Sequence, residues 1–181
     1  MATLSKDVEI KILKDVNQID PSSDTSDWKD STADFSLKGF ARSLDITAPK
    51  PNVTTISYLG SDDNGAQLEE HFIESWEKAT VSLKLGVNPD STGTYVDLDS
   101  LLYKSVASGT SAENFVAGVE IPSNTDLLII IGNEYGVRYL FKNVKITSLD
   151  SVSVPEKGLI ELTLEAECLA SDFYKQVVKS A

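Results

Sequence analysis

The chain has 181 residues, of which 41% are hydrophobic and 24% charged, an ordinary composition for a globular protein with a sizeable core. Its 28 acidic and 16 basic residues give a formal net charge of −12, which opposes binding to the phosphates of nucleic acid. A single cysteine, Cys168, excludes an internal disulfide and a thiolate zinc cluster, and the longest apolar run, Leu127 to Ile131, is far shorter than the roughly 20 residues of a membrane helix.

Alternating residue types predict a strand near the N-terminus, followed by a loop. Val8, Ile10 and Ile12 alternate with charged residues, a period-two pattern typical of a half-buried strand. Residues 15–34 are polar and acidic, with Trp28 as their only aromatic residue, and predict a loop. This acidic loop is either a solvated connector or an arm that contacts a neighbouring subunit through Trp28.

The next part of the chain predicts one long bent strand and one further strand. Apolar residues alternate from Phe35 to Ala41 and change phase at Leu44, as in a strand bent by a β-bulge. Pro49-Lys50-Pro51 breaks this strand. Residues 53–59 are rich in β-branched types, which favours another strand.

Segment 61–77 is predicted to be a long loop or arm. Its apolar residues recur at offsets of four, five and eight, which suits either a short amphipathic helix over Gln67 to Glu77 or an arm that packs on a partner. The sequence leaves both alternatives open. The candidates for contact between subunits are Trp28, Leu68, Phe72, Ile73 and Trp76.

After a strand at residues 81–87, a short helix is predicted near residue 100. Asp97 or Asp99 can cap it, apolar residues from Leu98 to Val106 fall on one face, and Gly109 stops it. Such a helix would cover an open end or face of a sheet.

The C-terminal half carries the strongest strand signal. Residues 115–121, 137–141 and 144–146 alternate, and Leu127 to Ile131 reads as a strand buried on both faces. Residues 161–168 place apolar residues on one face and acidic residues on the other. About eight strands with one or two short flanking α-helices predict a mainly β fold, a β-sandwich or barrel, in a single domain.

The sequence shows no catalytic, cofactor-binding or metal-binding constellation. His71 is the only histidine and has no nucleophile motif beside it, so we interpret it as a surface or interface residue. The glycines at 132 and 136 predict a hairpin turn rather than a phosphate loop. Residues 60–71 match only the middle of a calcium-binding loop, because Gly60 and His71 stand where its end carboxylates should be. Loose calcium binding by Asp62, Asp63, Glu69 and Glu70 is the alternative.

Two stretches resemble the major tail tube proteins of long-tailed bacteriophages. Residues 141–146 followed by 152–166 are similar to the C-terminal strand pair of that family, in which two long strands are joined through a proline and a short turn. Residues 56–60 leading into 67–70, with a strand resuming at 80–83, are similar to its long loop region. The resemblance is an order of elements rather than an invariant motif.

That resemblance covers most of residues 35–170 and has no counterpart for the acidic loop at 15–34. It implies a non-enzymatic virion protein whose copies join their sheets into closed rings, expected to be hexameric, which stack into the tail tube. Its partners would be itself, other tail proteins and DNA that passes through the bore without specific binding. Its location would be the virion tail, after synthesis in the host cytoplasm. Glu161, Glu165 and Glu167 are then candidates for a lumen-facing acidic wall.

Three rival functions stay open at this point. A β-sandwich of this size is also typical of binding modules that recognise carbohydrate or protein. Another ring-forming part of a tail or contractile injection system would share the fold, and an enzyme is the third alternative. In a free ring subunit, we expect Trp28, residues 61–76 and residues 172–181 to be mobile, and to become ordered on assembly.

Overall fold

The computed structural model describes residues 8–14, 17–38, 41–61, 67–87, 103–109, 111–117, 125–153, 156 and 160–179. Within these ranges the chain forms thirteen strands and two single-turn 3-10 helices. The strands are β1 (Val8–Lys14), β2 (Phe35–Lys38), β3 (Ala41–Thr47), β4 (Pro51–Ser61), β5 (Gln67–Trp76), β6 (Ala79–Val87), β7 (Tyr103–Ser108), β8 (Glu113–Ala117), β9 (Thr125–Ile131), β10 (Gly136–Phe141), β11 (Lys145–Ser153), β12 (Ile160–Cys168) and β13 (Phe173–Val178). The 3-10 helices are Trp28–Asp30 and Ala170–Asp172. The mainly β fold predicted from the sequence is confirmed.

Two antiparallel sheets pack face to face. Sheet A has the strand order β13-β10-β9-β1-β2, and sheet B has the order β11-β12-β6-β3. The apolar side chains between them form the main core, as expected for a β-sandwich with period-two strands. The buried members of this core are Val8, Ile10, Ile12, Ala79, Val81, Leu83, Leu85, Leu127, Ile129, Phe141, Val144, Ile146, Leu162, Leu164, Ala166 and Cys168.

Sheet A is covered on its other face as well. Residues 17–34, called the strap below, lie across this face, and Ile19 and Trp28 of the strap pack with Leu128 and Ile130 in a second buried cluster. Trp28 is 4% exposed. This second core explains the unbroken apolar run of β9, because alternate residues of that strand enter different cores.

A buried arginine ties the strap to sheet A. Arg138 is fully buried, and its Nε and Nη2 donate to Oδ1 and Oδ2 of Asp27 at 2.9 and 3.1 Å. Its Nη1 also donates to the carbonyls of Ile131 and Gly132, each at 3.1 Å. These hydrogen bonds from Arg138 lower the pKa of Asp27. The strap is therefore anchored on its own chain through Ile19, Trp28 and Asp27, and the Trp28 side chain packs inside that chain.

The β9–β10 turn confirms the hairpin predicted from its glycines. Gly132 has φ +87° and Gly136 has φ +138°, and a Cβ on either would lie 2.2 Å from a carbonyl oxygen. Only glycine adopts these conformations in such a space without strain.

Three sequence predictions about local structure were wrong. The long bent strand is two strands, since β2 belongs to sheet A and β3 to sheet B. The helix alternative for Gln67 to Glu77 fails because β5 pairs with β4 along this segment. The helix predicted near residue 100 falls partly on residues 88–102, outside the described ranges, and its described end is β7, which pairs with β8. In both helix cases, pairing with a neighbouring strand satisfies backbone groups that a helix would have bonded internally.

Candidate functional site

The most unusual feature of the molecule is the β4–β5 hairpin. β3 runs into β4 and β5 runs into β6, so the hairpin extends the β3–β6 pair of sheet B beyond the sandwich. The N–H of Glu77 donates to the carbonyl of Lys50 at 2.8 Å at the junction. Among the described strands, β4 and β5 pair only with each other. An isolated two-stranded hairpin is marginally stable in water, so this ribbon lacks the support that the sandwich strands have.

Large apolar side chains stand exposed on both faces of the hairpin. Residues directly opposite in an antiparallel pair share a face, and Val53 lies opposite Ile73, while Thr54 lies opposite Phe72. Ile73 is 56% exposed and Phe72 is 46% exposed, on opposite faces. Trp76, at the base of the ribbon, is 55% exposed. Within the described ranges, neither face therefore has a core beneath it.

The polar groups of the hairpin are used to hold the ribbon together. His71 Nδ1 and Thr55 Oγ1 lie 2.8 Å apart across the two strands, and the hydroxyl of Tyr58 donates to Glu70 at 2.8 Å. The hydrogen bond to Glu70 raises the pKa of Tyr58. Both residues of the His71–Thr55 pair are exposed to solvent.

An apolar cleft of about 550 Å³ lies at the base of the hairpin. It is bounded by the kink between β3 and β4, by Trp76, and by the C-terminal turn that leads into β13. Its lining residues are Ala48, Pro49, Trp76, Ala170, Ser171 and Phe173. The cleft continues the exposed apolar surface of the hairpin onto the sandwich.

The structure brings together three of the five residues predicted for contact between subunits. Phe72, Ile73 and Trp76 lie on β5 and are exposed. Leu68 lies on the same strand, but its side chain is outside what the structure describes. Trp28 lies apart from them in the second core.

The predicted acidic wall lies on the solvent face of sheet B and is not strongly acidic. Arg42 contacts Glu161 at 2.8 Å and Lys78 contacts Glu167 at 2.6 Å, while Glu165 is exposed. The remaining described charges that the strand register places on this face are Asp45, Lys84 and Lys145. Four carboxylates are thus balanced by four cations on the described part of this face.

The described residues offer no metal site and no reactive thiol. No three acidic, histidine or cysteine side chains in these ranges come together as a metal site. Of the carboxylates considered for calcium, Glu69 and Glu70 are neighbours on β5 and point to opposite faces, and residues 62 and 63 lie outside the described ranges. Burial raises the pKa of the Cys168 thiol to about 12, so it stays protonated and unreactive. No helix in the described part of the chain has the length and apolar character needed to cross a membrane.

Sequence reasoning missed a buried carboxylate, Asp126. It is fully buried at the end of β9, where its Oδ1 accepts from the N–H of Asn143 at 3.0 Å, and burial raises its pKa. Asn143 has φ +47°, so Asp126 supports a strained turn between β10 and β11. The only signal in the sequence is an acidic residue directly before the apolar run of β9.

Comparisons with known proteins identify no family. No protein-family model matches the chain, and no curated protein matches it. The structural neighbours are parts of contractile injection systems. The sheath-tube complex of the extracellular contractile injection system PVC gives a TM-score of 0.49 at 14% identity, over 96% of this chain and 90% of that chain. The sheath/tube terminator of PVC gives 0.45 at 15%, over 94% and 93%. The tube-terminating cap of the anti-feeding prophage gives 0.44 at 14%, over 96% and 90%. TM-scores below 0.5 assign the chain neither a family nor a function.

Proposed function

We propose that the chain is a structural, non-enzymatic subunit that assembles with copies of itself, using the β4–β5 hairpin as its main contact. The observation that carries this proposal is the exposure of large apolar side chains on both faces of a ribbon with no core of its own. Contiguous apolar surface of this kind is rare on a monomer and marks an interaction site.

The energetic gain from covering the hairpin is substantial. Fully burying a large apolar side chain contributes about 1.5–3 kcal/mol, so covering the half-exposed Phe72, Ile73 and Trp76 contributes roughly 1 kcal/mol each. The same contact would stabilise a ribbon that is marginal alone. Covering this one apolar surface would therefore stabilise both the hairpin and the assembly.

The sheet edges favour assembly between copies as well. β2 and β13 are the outer strands of sheet A, and β3 and β11 are those of sheet B. Register shifts in β3 and β11 are typical of protected edges, whereas the pairing of β13 with β10 is regular along all six residues. A regular edge strand has unpaired backbone groups that accept a strand from another chain.

More specifically, we propose that the chain is a ring subunit of a tail tube or of another ring-forming part of a tail-like particle. It would lie in that particle and contact its other proteins. The support for this proposal is the sequence resemblance, which is an order of elements over most of residues 35–170. The net charge of −12 suits a conduit through which DNA slides without being gripped. The balanced charges around Glu161, Glu165 and Glu167 indicate that the net charge rather than these three residues would repel DNA.

A binding module is the second candidate, and the cleft at the base of the hairpin favours it. Trp76 and Phe173 line this cleft, and aromatic rings in an apolar pocket are typical of sites for sugar faces or apolar side chains. In this case the chain would stay monomeric and would bind a ligand that contacts Trp76.

The two candidates separate in one experiment. The purified chain is concentrated stepwise, its mass in solution is measured by sedimentation velocity, and each sample is viewed by negative-stain electron microscopy. Self-assembly predicts a rise in mass with concentration and the appearance of rings or tubes. A chain that stays monomeric at every concentration contradicts the proposal and favours the binding module.

A further inference from the structure

The inner side of β13, the side that faces sheet B, extends past the main core. Its register places Phe173 opposite Phe141, Lys175 opposite Tyr139, and Val177 opposite Val137. Phe173 and Tyr139 still pack against the core. Beyond them, Lys175 and Val177 on this side are exposed, and so is Lys179, which follows directly after β13 ends. We call these three residues the basic strip.

The basic strip is a local exception in an acidic protein. The three ion pairs formed by described side chains involve neither Lys175 nor Lys179. The ammonium of Lys175 lies 5.7 Å from the centre of the Tyr139 ring, a weak cation–π contact at an exposed site. Val177, between the two lysines, is 53% exposed. The two ammonium groups and the Val177 side chain are therefore exposed to solvent, and neither lysine forms an ion pair with a described side chain.

The β4–β5 hairpin has the opposite character. Its described residues, 51–61 and 67–76, include three glutamates and no lysine or arginine. These are Glu69, Glu70 and Glu74, and all three are exposed. They flank Phe72 and Ile73, so the hairpin presents acidic and apolar groups side by side. This composition complements that of the basic strip.

We infer that the hairpin of one copy docks on the basic strip of the next copy. The two surfaces are complementary in charge, and both expose an apolar centre. Each is exposed in the single chain, so a chain's own hairpin does not cover its own strip, and the complementary composition of the two surfaces favours a second copy as the occupant. This inference rests on the proposed self-assembly and specifies the pair of surfaces that it uses.

Two different surfaces on each copy make the contact head-to-tail. Such contacts close into a ring when the rotation between copies allows it, and otherwise continue as a filament. A symmetric dimer, in which the same patch contacts itself, is not expected. Because the lysines and glutamates are exposed, salt screens their attraction over a Debye length of roughly 8 Å at physiological ionic strength, and assembly should slow as salt rises.

Charge reversal tests the inference through two variants. The strip variant carries Lys175→Glu and Lys179→Glu, and the hairpin variant carries Glu69→Lys and Glu74→Lys. Each places like charges in the contact, so each alone should associate at least about tenfold more weakly than the natural chain, as measured by sedimentation velocity. Mixed in equal amounts, the two variants should assemble again, because each can dock only on the other.

A control variant changes the net charge by the same amount as the strip variant, but at another surface. Lys84→Glu with Lys145→Glu, on the solvent face of sheet B, should assemble as the natural chain does. Thermal unfolding checks that all variants are folded.

The inference is overturned if either reversed variant assembles normally, if the control loses assembly equally, or if the mixture stays dissociated. In these cases an assembling natural chain leaves the proposed function intact. A natural chain that never assembles overturns both.

Discussion

The sandwich buries its large apolar side chains within one chain, whereas the β4–β5 hairpin leaves large apolar side chains exposed to solvent. In the sandwich, sheet A is buried on both faces, and even Arg138 finds a carboxylate and carbonyl partners inside the chain. In the hairpin, apolar residues of the same types stand exposed on both faces. The sandwich therefore satisfies its apolar and buried polar groups within one copy. The hairpin leaves its apolar side chains to be covered by another chain.

Two tryptophans give the sharpest version of this comparison. Trp28→Ala should lower the free energy of unfolding by about 3–5 kcal/mol, because it removes a large side chain from the second core. The matched control is Trp76→Ala, which should leave stability nearly unchanged because Trp76 is exposed. Urea unfolding of both variants measures the difference. Equal losses would show that the hairpin is supported within the chain.

Loss of the ion pair between Asp27 of the strap and Arg138 of sheet A should have the next largest effect on the free energy of unfolding. Asp27→Asn leaves the buried Arg138 without a carboxylate, and we expect a loss of about 3 kcal/mol at pH 7. The folded-state pKa of Asp27 is lowered, so its contribution is present above the unfolded-state value of about 3.9 and is lost as pH falls through the folded-state value. The deficit of the variant should therefore shrink in acid. Asp30→Asn, on the exposed side of the same turn, is the control, and an equal deficit there would contradict the assignment.

Substitution of Asp126 should have a smaller effect on the free energy of unfolding, and in the stabilising direction. Its pKa is raised by burial, so its charged form opposes folding, and its contribution worsens as pH rises from about 4 through its folded-state pKa. Relative to the natural chain, Asp126→Asn should gain on the order of 1 kcal/mol between pH 4 and pH 8. Thermal unfolding at several pH values measures this gain. The exposed Asp45→Asn should show no such trend, and a flat difference for Asp126→Asn would contradict the account.

The smallest effect on stability should come from the hairpin itself. Phe72→Thr with Ile73→Thr keeps strand-favouring residues on exposed positions, so the free energy of unfolding should change by less than about 0.5 kcal/mol per position. Assembly, measured by sedimentation velocity, should nevertheless be lost. Tyr135→Thr, at the exposed β9–β10 turn, should leave both properties unchanged. A double variant that assembles normally would remove the hairpin from the contact.

Period-two alternation was a reliable guide wherever a strand has one buried face. It located β1 and β12 correctly, and the apolar run of β9 indicated burial on both faces. The strap escaped prediction because its composition is polar, and its burial depends on Ile19, on Trp28 and on an ion pair between residues 111 positions apart. Contacts at such separations leave no local pattern.

The candidate site was predicted only in part, for a related physical reason. Phe72 and Ile73 are adjacent, so no single buried face accounts for both. Their spacing suited a helix, but it also fits a ribbon exposed on both faces. The basic strip was missed because the acidic net charge of the whole chain gives no sign of two exposed lysines in and directly after β13. Segment 172–181 was expected to be mobile in a free subunit, and β13 pairs regularly with β10 over most of it.

Amide hydrogen exchange, with one sample kept dilute and one concentrated, tests whether the β4–β5 hairpin is the contact between copies. We expect the amides of β4 and β5 to exchange fast in the dilute chain and at least tenfold more slowly in the assembled one, while those of β9, buried in both states, do not change. Equal exchange of the hairpin amides in both samples, with assembly verified by sedimentation, would contradict this expectation.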